Sequence, residues 1–533
     1  MNNWAWLSGR RVHITFFVLL AVVLLIHNNF ISLWDQDEGA YAGFASRILA
    51  TGDWLIPEFP WSKIHRKPPL HFWNIALSAK VFGMNEFSTR FPSAVFLFGT
   101  VCMMFYGTRD FLSKQEAFLS AVILSTSLFV LSLAKISVTD GTLLFFMTVC
   151  AIQVLSFLQK PSWKGVVIFW LAFAAALLVK GPPVIIFTGF FAALLFIFHP
   201  KRFSLLKFHP WFFLPVAALP LFYWGYLAWQ EDNGQFITWM IDWYILKRIG
   251  GSVLGQSAPF GTHFLFILVS FSPYLFAYAM LAKQGRSIVK NRDYEWIGIL
   301  IWFVAAWFPY ELSPSKLPAY TVAAHVPLAI LLSKTLLNAS PVSRNKTMII
   351  IQGVFSTLFV LAIPIAGTII GLNLVFIITS SVLSIIFLIL LFRGLKSLWN
   401  KTGFTRMIFY NAALICGLWI IVYPQIDVIK NSPKRVYEAL LDTPETSKVI
   451  VANSKGHPPS LIFYLERIFD GIDFIEDTDK LIEAYSETSY PMVLNQDQFN
   501  ELEAQVGAMD HDLVCSSFTD RKGKMCYYIV HHK

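Results

Sequence analysis

The chain has 533 residues, of which 56% are hydrophobic, 14% charged and 16% aromatic. A soluble globular chain averages about 45–50% apolar and about 25% charged residues, so this composition argues against a soluble enzyme and excludes a disordered or fibrous chain. The formal charge of +9 on a soluble protein would suggest nucleic acid as partner; on a membrane protein it first raises the question of which side of the bilayer holds it.

A membrane-spanning helix takes about 20 mostly apolar residues. About thirteen stretches fit, with cores near 14–33, 90–108, 117–134, 141–158, 165–180, 182–199, 211–229, 263–282, 295–310, 319–337, 348–370, 374–392 and 407–424. The first is too long, and too poor in small residues at its end, for a cleaved signal peptide. It reads as a retained span. The expected fold is a polytopic α-helical membrane protein, with a membrane domain over 1–424 and a tail over 425–533.

Charge alternates between the connecting loops. Arg10 and Arg11 precede the first span, and every second loop after it is basic. These loops carry Arg109 and Lys114; Lys160 and Lys164; Lys201, Arg202 and Lys207; Lys283, Arg286, Lys290 and Arg292; Lys334, Arg344 and Lys346; and Arg393, Lys396, Lys401 and Arg406. Their acids are Asp110, Glu116, Asp293 and Glu295. The positive-inside rule puts this set and the N-terminus in the cytoplasm. The +9 is then mostly a topology signal, and nucleic acid is not an expected partner.

The other loops and the tail face outward. Loop 34–89 is long and mixed in charge; loop 230–262 is long and aromatic. Ionisable groups at a membrane boundary are costly and usually mark function, and they collect on this outer side. The densest cluster is Trp34-Asp35-Gln36-Asp37-Glu38-Gly39-Ala40-Tyr41, just outside a span. Residues 39–50 suit an interface helix ended by Gly52. Acids at its N-terminus favour the helix dipole, which by itself is a structural role.

Carboxylates facing fixed cations at a membrane surface also suit one reaction. A sugar on a polyprenyl phosphate loses that phosphate as leaving group, cations stabilise the departing charge, and a carboxylate accepts a proton from a hydroxyl acceptor. Lys67, Lys180, Lys247, Arg248 and Lys316 are the candidate outer cations. Snorkelling to the interface is the plain alternative for each. Lys67 and Lys180 stand apart, because Pro or Gly-Pro follows directly in a rigid turn.

The tail is acidic and reads as a small α/β domain, with strands near 447–453, 512–518 and 524–531 and helices near 459–467 and 496–505. It contains no Gly-rich phosphate loop and no metal-ligand cluster, and no chemistry is assigned to it. Cys515 and Cys526 flank the turn at 520–523; in an oxidising compartment they are candidates for a disulfide across a hairpin. Cys102, Cys150 and Cys416 fall in spans as buried apolar residues.

An ordered series of motifs carries a resemblance. It runs Asp37-Glu38-x-x-Tyr41-Ala42, Gly52-Asp53-Trp54, Lys67-Pro68-Pro69-Leu70-x-x-Trp73, Phe82-Gly83-x-x-Glu86-Phe87 and Arg90-x-Pro92-Ser93-Ala94. Thr139-Asp140, Lys180-Gly181-Pro182 and Ser315-Lys316-Leu317-Pro318-Ala319-Tyr320 follow. The series resembles the bacterial GT-C glycosyltransferases related to protein O-mannosyltransferases, and within them the aminoarabinose–lipid A transferases. Thirteen spans with an outer C-terminal α/β domain is also their architecture.

The resemblance implies an inverting transfer from an undecaprenyl-phosphate sugar to lipid A at the periplasmic face of the bacterial inner membrane. It puts Asp37 in the catalytic position with Glu38 beside it. Lys67, Tyr320 and Lys247 or Arg248 fall on the lipid-phosphate positions, with Lys316 in the same motif as Tyr320. Tyr41, Arg66, Asp140 and Lys180 fall to the sugar or acceptor cavity. The spans imply a groove for the prenyl chain among the membrane lipids. Three departures concern the sugar end. Ala40 stands where the aminoarabinose enzymes tend to have Arg, Arg66 where they have Glu, and residues 239–248 lack their His. A Glu/His pair suits a divalent metal; both members are missing, so no metal and no cofactor are expected. Competing expectations are a protein O-glycosyltransferase using a similar donor and, less favoured for want of a repeat, a lipid-linked glycan flippase or transporter.

Overall fold

The apolar stretches fold as helices, and helix dominates the chain. The structure is a computed structural model that describes residues 4–35, 37–59, 62–247, 257–338, 345–427, 432–441, 447–452, 458–520 and 523–531. Among the described residues eight helices are long and apolar enough to cross a membrane. They are Glu86–Asp110, Thr139–Gln159, Trp163–Lys180, Pro210–Asp232, Pro318–Leu337, Lys346–Ile370, Leu374–Trp399 and Thr405–Gln425. Each falls on an expected stretch.

The remaining five stretches are helical but shorter, broken or less apolar. The first is Arg10–Leu25; 182–199 is Pro182–Phe198; 295–310 is Tyr294–Glu311. Stretch 117–134 divides into Lys114–Ser125 and Leu128–Ser132. At the break the Thr126 hydroxyl bonds back to the Val122 carbonyl at 2.9 Å, a local competitor of the helix ladder. Stretch 263–282 bends by 69° between Thr262–Ser270 and Ser272–Ile288, which counts as a ninth span if taken as one. Pro273 sits at the bend, where it lacks the N–H that would continue the helix.

The loop over 34–89 folds onto the end of the bundle with two helices, Asp37–Thr51 and Leu70–Phe82. Gly83, at φ 75°, ends the second. Asn85 then caps the span that follows. Its side chain accepts from the Ser88 N–H while the Ser88 hydroxyl accepts from the Asn85 N–H, a reciprocal capping box. This cap sets the direction of Arg90 one turn later.

The tail forms a five-stranded sheet of β1 (Lys448–Ala452), β2 (Gly471–Phe474), β3 (Met492–Leu494), β4 (His511–Asp520) and β5 (Gly523–Val530). The order is β2-β1-β3-β5-β4. β1 runs parallel to β2 and β3, while β5 is antiparallel to β3 and β4. β2 and β3 are too short to have left an alternating pattern in the sequence. Cys515 and Cys526 are cross-strand partners and are joined as a disulfide.

The tail is packed against the first loop. Helix Pro459–Leu465 lies on helix Asp37–Thr51, and Leu33, Tyr41, Phe44, Phe72, Ile462 and Phe463 share one apolar cluster. Gly39 is needed there: a Cβ would come within 2.5 Å of the Ser460 nitrogen. The Ser460 N–H donates to Asp35 at 2.9 Å, and the Tyr464 hydroxyl donates to Glu86 at 3.1 Å. Glu86 also pairs with Lys434 at 2.8 Å.

Candidate active site

Asp37 and Glu38 begin the same helix and meet opposite fates. Successive helix positions are about 100° apart, so adjacent acids cannot share one environment. Glu38 is fully buried. Arg90 grips both its oxygens, Nε and Nη2 each at 2.8 Å. The Ser137 N–H (2.8 Å) and Trp34 N–H (2.9 Å) complete its hydrogen bonding. Arg90 spends its other donors on the carbonyls of Asn28, Ile31 and Ser32. Lys135, also buried, bonds the carbonyls of Leu24 and Ile26 and the Asn28 side chain. Two buried cations thus tie the end of the first helix to the start of the Asp37 helix. Glu38 sits in that brace, where it supports the loop.

Asp37 faces the other way, with part of the residue exposed and its carboxylate partly enclosed by the cradle around it. Its carboxylate accepts from the Tyr41 hydroxyl at 3.1 Å, one helical turn on. Tyr41 in turn accepts from the Lys67 ammonium, which also donates to the Tyr244 hydroxyl at 3.2 Å. Tyr244 donates to the Ile64 carbonyl at 2.6 Å. The Lys67 Nζ lies 4.8 Å and 5.1 Å from the centres of the two tyrosine rings. Pro68 and Pro69 follow Lys67 immediately, and Pro69 caps helix Leu70–Phe82, so the lysine projects from a stiff corner.

The electrostatics follow from this cradle. Burial raises the Asp37 carboxyl, but Lys67, His65, Tyr41 and Lys180 outweigh it and hold the group below its ordinary value. Burial and the Asp37 charge push the Tyr41 hydroxyl well up, so it stays protonated and donates. Burial, then Lys67, lowers His65 to about 4. Burial, then Lys67 and Lys180, lowers His71 to about 3. At neutral pH both imidazoles are uncharged, and Asp37 faces Lys67 as an ionised carboxylate.

A second pair shares this field. Lys180 donates to Asp140 at 2.7 Å, and its Nζ lies 5.7 Å from the centre of the Tyr320 ring. Gly181, at φ 67°, makes the corner that ends the Lys180 helix and starts Pro182–Phe198. Lys180 acts on Asp37, and Asp140 on Tyr41. Asp37, Tyr41, Lys67, Asp140, Lys180 and Tyr320 therefore gather at one end of the bundle.

The other candidates are used differently. Arg66 is buried; it pairs with Glu58 and lies over Phe236 at 4.8 Å and Trp239 at 5.9 Å. The Lys316 side chain is nearly enclosed and stitches its own loop through Glu311 and the Ser313 carbonyl. Lys247 is exposed and pairs with Asp242 at 2.9 Å. Arg248 lies outside the described residues. Among the described residues no group of three or more His, Cys, Asp or Glu is placed to hold a metal ion.

The chain is similar to known proteins in sequence and in fold. Residues 66–227 match the family described as dolichyl-phosphate-mannose-protein mannosyltransferase. An undecaprenyl phosphate-alpha-4-amino-4-deoxy-L-arabinose arabinosyl transferase 2 of Proteus mirabilis is 25% identical, covering 88% of this chain and 85% of its own. The like-named transferase of Wigglesworthia glossinidia brevipalpis is also 25% identical, over 84% of this chain and 81% of its own. The crystal structure of ArnT from Cupriavidus metallidurans bound to undecaprenyl phosphate superposes with a TM-score of 0.78 at 18% identity, covering 98% of both chains. The chain is similar in sequence to the aminoarabinose transferases and shares the fold of ArnT. It is a multi-pass membrane protein.

Sequence reasoning quoted Arg90 within a motif but gave it no role, and did not single out His65, His71 or Tyr244. The signal for Arg90 was an arginine inside an otherwise apolar span, which demands a buried counter-charge. Tyr244, in the aromatic loop, carried no comparable signal.

Proposed function

We propose that the protein transfers a sugar from an undecaprenyl-phosphate donor to lipid A at the periplasmic face of the bacterial inner membrane. The observation that carries this reading is the chain from Lys67 through the Tyr41 hydroxyl to the ionised Asp37 carboxylate. A lipid-phosphate oxygen of the acceptor attacks the anomeric carbon, the bond to the donor phosphate breaks with inversion, and the electron pair leaves with that phosphate. Lys67, with Tyr320 near Lys180, neutralises the departing charge. A phosphate acceptor is already anionic and needs no strong base, so Asp37 orients the sugar and stabilises positive charge at the anomeric carbon. The reading takes all thirteen apolar stretches as spans, keeps the N-terminus cytoplasmic and the tail periplasmic, and assigns no resident metal or cofactor.

The match of residues 66–227 to a protein mannosyltransferase family favours one second reading, in which the acceptor is a protein hydroxyl and Asp37 is the general base. Reconstitution with a panel of labelled polyprenyl-phosphate sugars, lipid A and acceptor peptide, read by mass, separates the two. Sugar added to lipid A supports the first reading. Sugar added only to peptide replaces it with the second, and no transfer from any lipid-phosphate sugar refutes both.

A further inference from the structure

One cleft lies far from Asp37. It occupies about 720 Å³ between Leu374–Trp399 and Thr405–Gln425 and is lined by Ile385, Leu388, Ile389, Phe392, Arg393, Lys396 and Arg406. Its position follows from the chain path. Near the far end of Thr405–Gln425, the Tyr423 hydroxyl donates to the Lys135 carbonyl at 2.9 Å, beside the Asp37 end of the bundle. Arg406, at the start of that helix, and Arg393 and Lys396, near the end of the antiparallel one, therefore sit at the opposite end.

The lining is divided. Ile385, Ile389 and Phe392 form an outward-facing apolar stripe at helical spacing. Arg393, Lys396 and Arg406 close the end of the stripe farthest from Asp37, and all three are exposed. No acid lines the cleft, and among the described residues none of the three cations pairs with a carboxylate. An apolar wall ending in a cluster of cations at a membrane boundary has the complement of one class of molecule, in which acyl chains end in a negative headgroup.

We propose that this cleft binds an anionic phospholipid, with its phosphate among Arg393, Lys396 and Arg406 and its acyl chain along Ile385, Ile389 and Phe392. The site is separate from the sugar-transfer site and does not depend on that assignment. Charge complementarity selects the headgroup, and the apolar stripe selects a lipid over a free phosphate.

The test titrates purified, delipidated full-length protein with phosphatidylglycerol and counts bound lipid by native mass spectrometry. Phosphatidylcholine and glycerol 3-phosphate serve as separate arms. The triple variant Arg393→Gln, Lys396→Gln, Arg406→Gln should weaken phosphatidylglycerol binding at least about tenfold, since each cation near a membrane surface adds roughly a factor of five. The control Lys283→Gln, Arg286→Gln, Lys290→Gln removes three basic-loop charges elsewhere and should leave binding unchanged. The charge-keeping pair Arg393→Lys, Arg406→Lys should retain it. Equal loss in both triples would mean general charge attraction and overturn the site. Equal binding of phosphatidylcholine, or displacement of the lipid by equimolar glycerol 3-phosphate, would overturn the headgroup or the chain assignment respectively.

Discussion

At the end of the bundle that carries Asp37, the cations are enclosed and engaged. Arg90 grips Glu38, Lys180 holds Asp140, and Lys67 lies between two tyrosines. At the opposite end Arg393, Lys396 and Arg406 are exposed beside an apolar cleft. Both ends carry cations in sequence, and counting charges favours the second. What separates them is desolvation. A charge taken from water acts strongly on its neighbours, so the enclosed end can hold an acid ionised and receive a leaving phosphate. The open end keeps its charges in a screened medium, where they orient and attract.

The comparison breaks first at the two adjacent acids. Asp37→Asn should leave folding intact, because the swap keeps the side chain's shape and the residue is partly exposed, and lower transfer by about 10² to 10³. Near-normal transfer by that variant would remove Asp37 from the mechanism. Glu38→Ala should do the reverse. It leaves Arg90 buried without its counter-charge and costs about 3–5 kcal/mol of stability, visible as a lowered melting temperature in detergent. A Glu38→Ala protein that melts normally would show that the brace is not needed.

Lys67→Ala comes next. It should raise the KM for the lipid donor by about 10- to 100-fold, the range expected for a charge-assisted contact to phosphate. Unchanged donor dependence would argue against that contact. The corresponding neutralisations at the far end should leave donor KM alone.

The smallest effect is on pH. On the proposed function transfer needs Asp37 deprotonated, and its carboxyl lies below the ordinary aspartate value of about 3.9. His65 at about 4 and His71 at about 3 are already neutral above that range. The rate should therefore stay flat from pH 8 to pH 5 and fall only as pH drops through the lowered Asp37 value. Removing Lys67 takes away the cation that acts most strongly on Asp37, so in Lys67→Ala the acid limb should move to higher pH. An unmoved limb would assign the titration to another group.

Much of this was legible in sequence, for reasons that differ by residue. Asp37 and Lys67 stood out because charged groups at a membrane edge are expensive and because Pro-Pro fixes the direction of the lysine. All eight long apolar helices fell on stretches defined by composition. Which of two neighbouring acids becomes buried was not legible, since it depends on Arg90, 52 residues away. The same holds for Arg66 and Lys316: their charge was visible, but the aromatic face and the Glu311 loop that occupy them are long-range partners or products of loop geometry. The tail was read as a domain without chemistry. Its contact with the site, through a hydrogen bond spanning 425 residues, leaves no local pattern.

The tight fit of Gly39 against Ser460 has a mechanical meaning. The tail touches the reacting helix two residues from Asp37, at a point with no room for even one methyl group. The two halves of the protein are therefore geared there, without slack. A force or partner that shifts helix Pro459–Leu465 is passed directly to the first turn of the helix that presents the carboxylate. On the proposed function, the tail thereby bears on the aim of the Asp37 carboxylate without adding a charge of its own.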